Sequence, residues 1–372
     1  MEPRDPAFEP LYQAKQTLSS RLLRNPNRDG LVLSSRSVEQ ATAAAATGRN
    51  VHAVGIGHKI VNGQLTGDLC VRIYVTQKLD PALLGNNALP AEIDGVPTDV
   101  IESAPAFLLP TVAAAEEIAV PVPGIEGVQV LAPAAVPPCS LARRRRQRPI
   151  RGGISAALFT VTAGTISCFC RSTRPGDDPE QVYVLSNNHV FADVNQGIPG
   201  APIFQPGPAD GGSNVDEVAR LSRFVPIQIN GVLPNRVDGA IGQLLPQIPF
   251  DASICSIGPV AGTAMAAEGM RVRKHGRTTG LTEGAVVDIA YDALVGMDHA
   301  NPAIVALFED QLRIERVAPH PVFGMGGDSG SLVMQADGQN AVGLYFAGPP
   351  SGLYGIANPI GAVLAELEIT LL

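Results

Sequence analysis

The chain has 372 residues and a formal net charge of −8, with 45% apolar and 17% charged residues. This length predicts two or three domains with a sizeable core, and the composition excludes a mostly disordered chain. The 39 Gly, 32 Pro and lack of Trp favour short strands joined by many turns over a helical bundle. The negative charge gives no general attraction to nucleic acid or anionic lipid.

The N-terminus and the cysteines bear on the compartment. MEPRDPAFEP carries charges and prolines where a secretory signal needs an apolar run, and no stretch reaches the roughly 18 apolar residues of a membrane span. The five cysteines lack metal-ligand spacing: Cys70, Cys139, Cys168, Cys170 and Cys255. We therefore expect reduced thiols in a cytoplasmic protein, with no metal, cofactor or membrane partner.

Residues 1–50 are predicted to form a helical segment. Apolar residues recur at helical spacing over 6–24, and a second helix over 36–47 is followed by Gly48, a typical C-terminal cap. The first helix should pack on the body of the protein or on a second subunit. A homo-oligomer formed through the N-terminal segments is therefore one expected assembly.

Residues 51–104 predict a small α/β module. Two β-rich stretches flank Asn62-Gly63, a pair that suits a two-residue hairpin turn. EIDGVPTDVIE, residues 92–102, predicts a third strand. No catalytic constellation falls in this module, so we expect a structural or regulatory role.

Residues 105–150 predict a linker or an extended arm, because Ala, Pro and Val predominate before LARRRRQRPIRGG. The block from Arg143 to Arg146, with Arg148 and Arg151, could suit a nucleic-acid patch. A solvated, self-docking or protease-sensitive linker is the stronger interpretation in an acidic protein. Nucleic acid is therefore not an expected partner.

Residues 151–372 predict an all-β domain that ends in a short helix. Strand-like runs recur between Gly and Pro turns, as in a barrel or a sandwich. In the closing stretch NPIGAVLAELEI, Asn358 is the expected N-cap and Pro359 the first helical residue.

The stretch GMGGDSGSLV, residues 324–333, contains the candidate nucleophile. Acyl transfer needs a nucleophile, a base, an acid that orients the base, and donors for the oxyanion. Ser329 is the candidate nucleophile, because glycines around it allow the N–H groups of Gly327 and Ser329 to converge on one point. Gly330 would keep the approach to the serine open.

A histidine should supply the base, and His189 is the first candidate. It follows the apolar strand in YVLSNNHVFA and precedes a polar loop. His275 and His320 are its rivals. Asp238 is the candidate orienting acid, since its neighbours in NRVDGAIGQL are small or aliphatic and a charge there needs a partner. Three other acids are interpreted as solvated: Asp193, Asp210 and Asp216.

The order His189, Asp238, Ser329, with GDSGS around the serine, resembles the trypsin/chymotrypsin-like serine peptidases over about 152–372. KHGRTTGLTEGAV is similar to a segment of their bacterial branch, and AVGLYFAG resembles the strand that pairs with bound substrate. With the N-terminal module, the chain resembles bacterial relatives of the plant narrow-leaf trypsin-like proteins more than digestive enzymes. The resemblance implies a mainly β, chymotrypsin-like double β-barrel with a C-terminal helix.

The resemblance also assigns roles in the cleft between the barrels. Ser329 is the implied nucleophile, His189 the base and then the acid, and Asp238 the orienter. The N–H groups of Gly327 and Ser329 form the implied oxyanion hole. Asp328 should be buried and ion-paired. An activation cut that would supply a new N-terminus is not expected at Arg148-Pro149, so Arg277 is the expected partner.

Substrate contacts are likewise implied by the resemblance. They should come from four residues, with Tyr354 and Gly355 further round the pocket: Phe323, Phe346, Ala347 and Gly348. Without an acid at the base of the pocket, we expect a small or apolar side chain there rather than Arg or Lys. Met325 stands where many members have a half-cystine, so we expect the usual disulfides to be absent.

The sequence therefore predicts a serine endopeptidase that acts on protein or peptide substrates through an acyl-enzyme. The N-terminal module, the arm or oligomer contacts would regulate access to its cleft. An alternative is a catalytically silent binding or scaffold protein on the same fold, which predicts that the 105–150 arm blocks the cleft. An esterase or transferase would share the chemistry up to the acyl-enzyme.

Overall fold

The computed structural model describes residues 8–24, 30–32, 37–108, 139–298 and 301–372. Its helices are α1 (Phe8–Leu22), α2 (Val38–Ala46), α3 (Pro81–Leu84), α4 (Asn188–Phe191) and α5 (Ile360–Leu367). The first twelve strands are β1 (Val51–Val61), β2 (Gln64–Val75), β3 (Glu92–Ile93), β4 (Val96–Glu102), β5 (Ala106–Phe107), β6 (Ile150–Gly152), β7 (Ser155–Leu158), β8 (Gly164–Thr165), β9 (Phe169–Ser172), β10 (Val182–Ser186), β11 (Pro202–Phe204) and β12 (Glu217–Phe224). The other twelve are β13 (Pro234–Asn235), β14 (Ala240–Leu244), β15 (Phe250–Ile254), β16 (Gly258–Pro259), β17 (Gly262–Thr263), β18 (Arg271–Gly276), β19 (Gly280–Gly296), β20 (Val305–Arg316), β21 (Leu332–Gln335), β22 (Asn340–Ala347), β23 (Tyr354–Pro359) and β24 (Ile369–Leu371). None of the helices described is long and apolar enough to cross a membrane.

Two large sheets build the body of the molecule. One has the order β24-β9-β10-β14-β12-β11-β7-β8, and the other runs β13-β20-β23-β22-β21-β18-β19 before it continues into β1-β2-β4-β3. The strands form a closed six-stranded barrel and a half-barrel. The predicted fold class is therefore confirmed: a mainly β, chymotrypsin-like double barrel with a C-terminal helix and a small α/β module ahead of it.

A shared apolar cluster joins the two barrels. It takes Leu185 and Ile241 from the first barrel, Leu332 and Leu344 from the second, and Val363 from α5, all of them buried. Burial of these side chains removes apolar area from water, at about 25 cal/mol per Å². The cluster holds the barrels together beneath the cleft where the candidate residues lie.

The N-terminal module is part of the second sheet. Its β1–β2 hairpin turns through Asn62 (φ +51°) and Gly63 (φ +77°), as the sequence predicts. On its other edge β1 pairs antiparallel with β19, where Ala53 lies opposite Ala293. Hydrogen bonds of a sheet therefore connect the module to the second barrel.

Helix α1 packs on the body of the protein, which is one of the two positions predicted for it. Its apolar face includes Leu11 and Leu18, both buried. Lys15 on this helix is also buried, and its Nζ lies 2.5 Å from Asp292 and 2.9 Å from Asp310. The pKa of Asp292 is raised to about 6 because its burial outweighs the attraction of Lys15.

Two predicted elements differ in detail. The prediction of a single third strand over residues 92–102 of the module is wrong. The chain turns through Asp94 (φ +50°) and Gly95 (φ +80°) between β3 and β4. The expected N-cap of the last helix is also wrong. Pro359 takes the cap position of α5, whereas the Asn358 side chain bonds elsewhere, to the backbone N–H of Asp238 and to Gln311.

The prediction that all cysteines are reduced thiols is wrong for two of them. Cys139 and Cys255 form a disulfide, so the end of the predicted arm is bonded to the loop after β15. Three buried cysteines are free thiols: Cys70, Cys168 and Cys170. Sequence could not pair Cys139 with Cys255 because 116 residues separate them.

The described part of the arm docks on the body, while residues 109–138 of the arm prediction lie outside the described residues. The guanidinium of Arg143 donates to the backbone oxygens of Arg277 (3.0 Å) and Thr278 (3.1 Å). Arg146 pairs with Asp216 at 3.1 Å. These contacts support the self-docking interpretation of the arginine block.

We expect Gly63→Ala to destabilise the protein by about 1 kcal/mol, because a Cβ is strained at φ +77° even though the space beside it is open. Gly67→Ala is the matched control: this glycine is also exposed with open space around it, but its φ is not positive. Urea unfolding of both variants measures the difference. Equal midpoints would contradict the left-handed turn.

Candidate active site

His189 and Asp238 form a hydrogen-bonded acid–base pair. His189 lies in α4, just after β10, and its Nδ1 is 2.5 Å from Oδ2 of Asp238. Its backbone N–H donates to the other carboxylate oxygen at 3.1 Å. A carboxylate can only accept, so Nδ1 carries the proton and the lone pair of the ring lies on Nε2. That Nε2 is buried and has no hydrogen-bond partner among the described residues.

The backbone of Asp238 is fixed from both sides. Asn187 donates from its side-chain amide to the Asp238 carbonyl at 2.7 Å, and the Asn358 amide oxygen accepts from the Asp238 N–H at 3.1 Å. The Asp238 side chain is fully buried. A buried charge needs hydrogen-bond partners, and the carboxylate has them in the Nδ1–H and the backbone N–H of His189.

The rival histidines and acids lie elsewhere. His275 is buried, and its Nδ1 donates to the carbonyl of Gly153 at 2.9 Å. The prediction that Asp210 and Asp216 are solvated is wrong, because the side chains of both are largely covered and bonded to arginines. Among the histidines described, His189 is the one that the structure brings to Asp238.

Ser329 lies in a turn between two glycines of positive φ, Gly327 (+92°) and Gly330 (+95°). A Cβ on Gly330 would lie 2.2 Å from the hydroxyl of Ser186, three residues before His189, so the turn packs tightly against the end of β10. The Ser329 hydroxyl donates to the carbonyl of Phe346 at 3.3 Å. It makes no hydrogen bond to His189, so the candidate nucleophile and the candidate base are not in contact in this state.

The candidate oxyanion donors are available. Within the ranges that the structure describes, the N–H groups of Gly327 and Ser329 donate to no protein acceptor. The carbonyl of Gly327 accepts from Thr165 Oγ1 at 2.8 Å, and that of Gly326 from Thr278 Oγ1 at 2.6 Å. Two side chains thus fix the peptide planes of the turn, and preorganised donors are what oxyanion stabilisation requires.

Asp328 is buried and ion-paired as expected, with a different partner. Lys274 on β18 lies 3.1 Å from its Oδ2, and Thr278, Thr279 and Met325 donate backbone N–H bonds to it. Burial raises the pKa of Asp328, but Lys274 and these donors outweigh the burial and hold the pKa below its usual value. The carboxylate therefore stays charged in the interior.

The prediction that Arg277 pairs with Asp328 is wrong. Its guanidinium makes two bonds to Asp210, from Nε at 2.8 Å and from Nη2 at 2.5 Å. Lys274 had a signal in the sequence, because it lies two residues after the apolar Val272 along β18 and so faces the same, inward side of the strand. A basic residue at an inward strand position is the one that can reach a buried acid.

The four predicted substrate-contact residues are buried in this state: Phe323, Phe346, Ala347 and Gly348. Tyr345, which was not among the predicted substrate contacts, fills the space near them. A Cβ on Gly324 would lie 2.6 Å from its hydroxyl, and one on Gly355 would lie 2.5 Å from its ring. This hydroxyl is buried and has no hydrogen-bond partner among the described residues.

Lys274→Met should destabilise the protein by about 3–5 kcal/mol, because it leaves the Asp328 carboxylate buried without its counter-charge. The control is Arg271→Met on the same strand, which breaks an exposed pair with Glu283 and should cost about 0–1 kcal/mol. Chemical denaturation measures both. Similar losses for the two variants would contradict the role of Lys274.

His275 should make stability depend on pH. Burial lowers its pKa from 6.5 to about 4, so the unfolded chain binds a proton between these values and the folded chain does not. Its stabilising contribution is complete above pH 6.5 and is lost as pH falls towards 4. Between pH 7 and pH 4.5, His275→Asn should lose about 2 kcal/mol less than wild type. Parallel pH profiles of the unfolding free energy would contradict the shift.

Comparisons with known proteins find similarity in structure only. No protein-family profile matches the sequence, and no curated protein matches it. Thermobifida fusca protease A is similar with a TM-score of 0.42 and 18% identity, over 60% of this chain and 98% of that one. Nocardiopsis protease gives 0.42 and 15% over the same shares, and Cellulomonas bogoriensis chymotrypsin gives 0.40 and 16%. The fold assignment therefore depends on the strand order described above.

Proposed function

We propose that this chain is a serine endopeptidase that hydrolyses peptide bonds through Ser329, His189 and Asp238. The observation that carries the proposal is the fully buried Asp238 carboxylate, which accepts both the Nδ1–H and the backbone N–H of His189. These two hydrogen bonds to one histidine fix the orientation of the ring and its tautomer. A lone pair on Nε2 is what a general base for a serine requires.

In the proposed reaction the Ser329 hydroxyl leaves Phe346 and gives its proton to Nε2 of His189 as Oγ attacks the substrate carbonyl. The N–H groups of Gly327 and Ser329 stabilise the oxyanion. His189 then protonates the leaving amine, and an acyl-enzyme remains. Water deprotonated by the same ring releases the acid and restores the serine.

Regulated access to the cleft is part of the proposal. Its support is that Ser329 bonds to Phe346 rather than to His189, and that the substrate-contact residues are buried. Catalytic hydrogen bonds are often loose in enzymes without substrate and form only in the complex. An apolar or small side chain before the cleaved bond remains the expected preference.

Labelling with a fluorophosphonate, followed by peptide mapping, tests the proposal. Ser329 should be modified in wild type and nothing should be modified in Ser329→Ala. Turnover should fall about 10⁴-fold or more in Ser329→Ala and His189→Ala, since the groups act as a unit. Asp238→Asn should cost about 10⁴-fold by favouring the wrong tautomer.

The matched control is His320→Ala, which removes a rival histidine and should leave turnover unchanged. Near-wild-type turnover in Asp238→Asn would show that another acid orients the base. Folded wild-type protein that no probe modifies would favour the binding or scaffold alternative.

A further inference from the structure

A short segment at the start of the predicted arm lies between two strands at the cleft. The Phe107 N–H donates to the carbonyl of Gly348 at 2.9 Å, and the Gly348 N–H donates back to Phe107 at 3.2 Å. On the opposite edge, the Leu108 N–H donates to the carbonyl of Gly296 at 2.9 Å. Ala106–Leu108 therefore bonds to β19 on one side and to the chain after β22 on the other.

The register relates this segment to Ser329. Phe107 lies antiparallel to Gly348, and the Phe346 carbonyl lies two residues before Gly348, at the register shift between Tyr345 and Ala347. That Phe346 carbonyl is the one that accepts the Ser329 hydroxyl. A bound peptide whose residue pairs with Gly348 in this register would place its own residue two positions further on opposite Phe346, beside the nucleophile.

We propose that Ala106–Leu108 occupies the strand site for substrate and acts as an intramolecular inhibitor; this inference rests on the proposed function. Phe107 takes the position of the third residue before the bond that is cut. The site takes an extended apolar peptide, bonded through its backbone on both edges. An external substrate has to displace the segment.

The surroundings of Phe107 indicate which side chain this position prefers. Ala106, Phe107 and Leu108 are all at least nine-tenths buried. Gly296 makes room for the ring, since a Cβ there would lie 2.3 Å from Phe107. A large apolar side chain therefore suits the position, whereas a charged one would be buried without a partner.

The segment is anchored just before the cleft. The Tyr354 hydroxyl donates to the carbonyl of Ala104 at 2.6 Å, and Arg313 donates to the Ser103 hydroxyl at 3.1 Å. The tether gives the segment a high effective concentration at the site. The apparent affinity for a substrate falls by the fraction of molecules in which the site is open.

Two probes separate release of the segment from general damage to the cleft. One is the diphenyl phosphonate of acetyl-Ala-Pro-Ala-Phe-Leu-Leu, which uses the strand site before it reacts with a serine. The other is a fluorophosphonate, which needs no strand pairing. Phe107→Pro removes the N–H that bonds to Gly348, and Phe107→Leu keeps this bond and an apolar side chain.

We expect Phe107→Pro to react with the peptidyl probe up to about tenfold faster than wild type, the effect of losing one backbone hydrogen bond from the closed state. Phe107→Leu should react like wild type, and the fluorophosphonate rate should be the same in all three proteins. Equal peptidyl rates in folded Phe107→Pro and wild type would overturn the inference.

Hydrogen exchange of wild type decides the case if Phe107→Pro does not fold. Modification of Ser329 by the peptidyl probe should raise amide exchange at Phe107 and Leu108, and modification by the fluorophosphonate should not. Unchanged protection on a fully modified serine overturns the inference. If neither probe modifies Ser329 in any folded protein, the proposed function itself has failed.

Discussion

The buried carboxylate of Asp328 is the constraint on which the geometry around Ser329 depends. A charge in the interior is tolerated only with enough partners, and Asp328 has Lys274 together with donors from Thr279 and Met325. These donors come from two separate parts of the second barrel, so one side chain fixes the serine turn against the start of β19. The interaction is internal to the chain and uses no new terminus.

The two halves of the site are assembled to different degrees. His189 and Asp238 belong to the first barrel and are fixed by Asn187 and by Asn358 of the second barrel. The Ser329 hydroxyl instead bonds to the strand edge that Phe107 shares. The His189–Asp238 pair is thus formed, while Ser329 and the edge at Gly348 bond to other groups of the chain.

The sequence predicted local features well and distant pairings poorly. The turn around Ser329, the histidine after an apolar strand and the charge of Asp238 in apolar surroundings all have local signals. Arg277 rather than Lys274 was predicted as the partner of Asp328, because strand register decides which basic residue reaches this acid. The position of Lys274 two residues after the inward-facing Val272 was a usable signal. No local pattern in the sequence predicts the pairing of Phe107 with Gly348, since these two segments lie far apart along the chain and meet only when it folds.

The shared sheet has a consequence for a chain that is nicked between residues 108 and 139. Pairing of β1 with β19, and the buried Lys15 between Asp292 and Asp310, hold the module without help from the covalent backbone. A cut there would yield two polypeptides that stay associated as one particle, separable only under denaturing conditions. The protein would then run as two bands on a denaturing gel while eluting as one species from a native column.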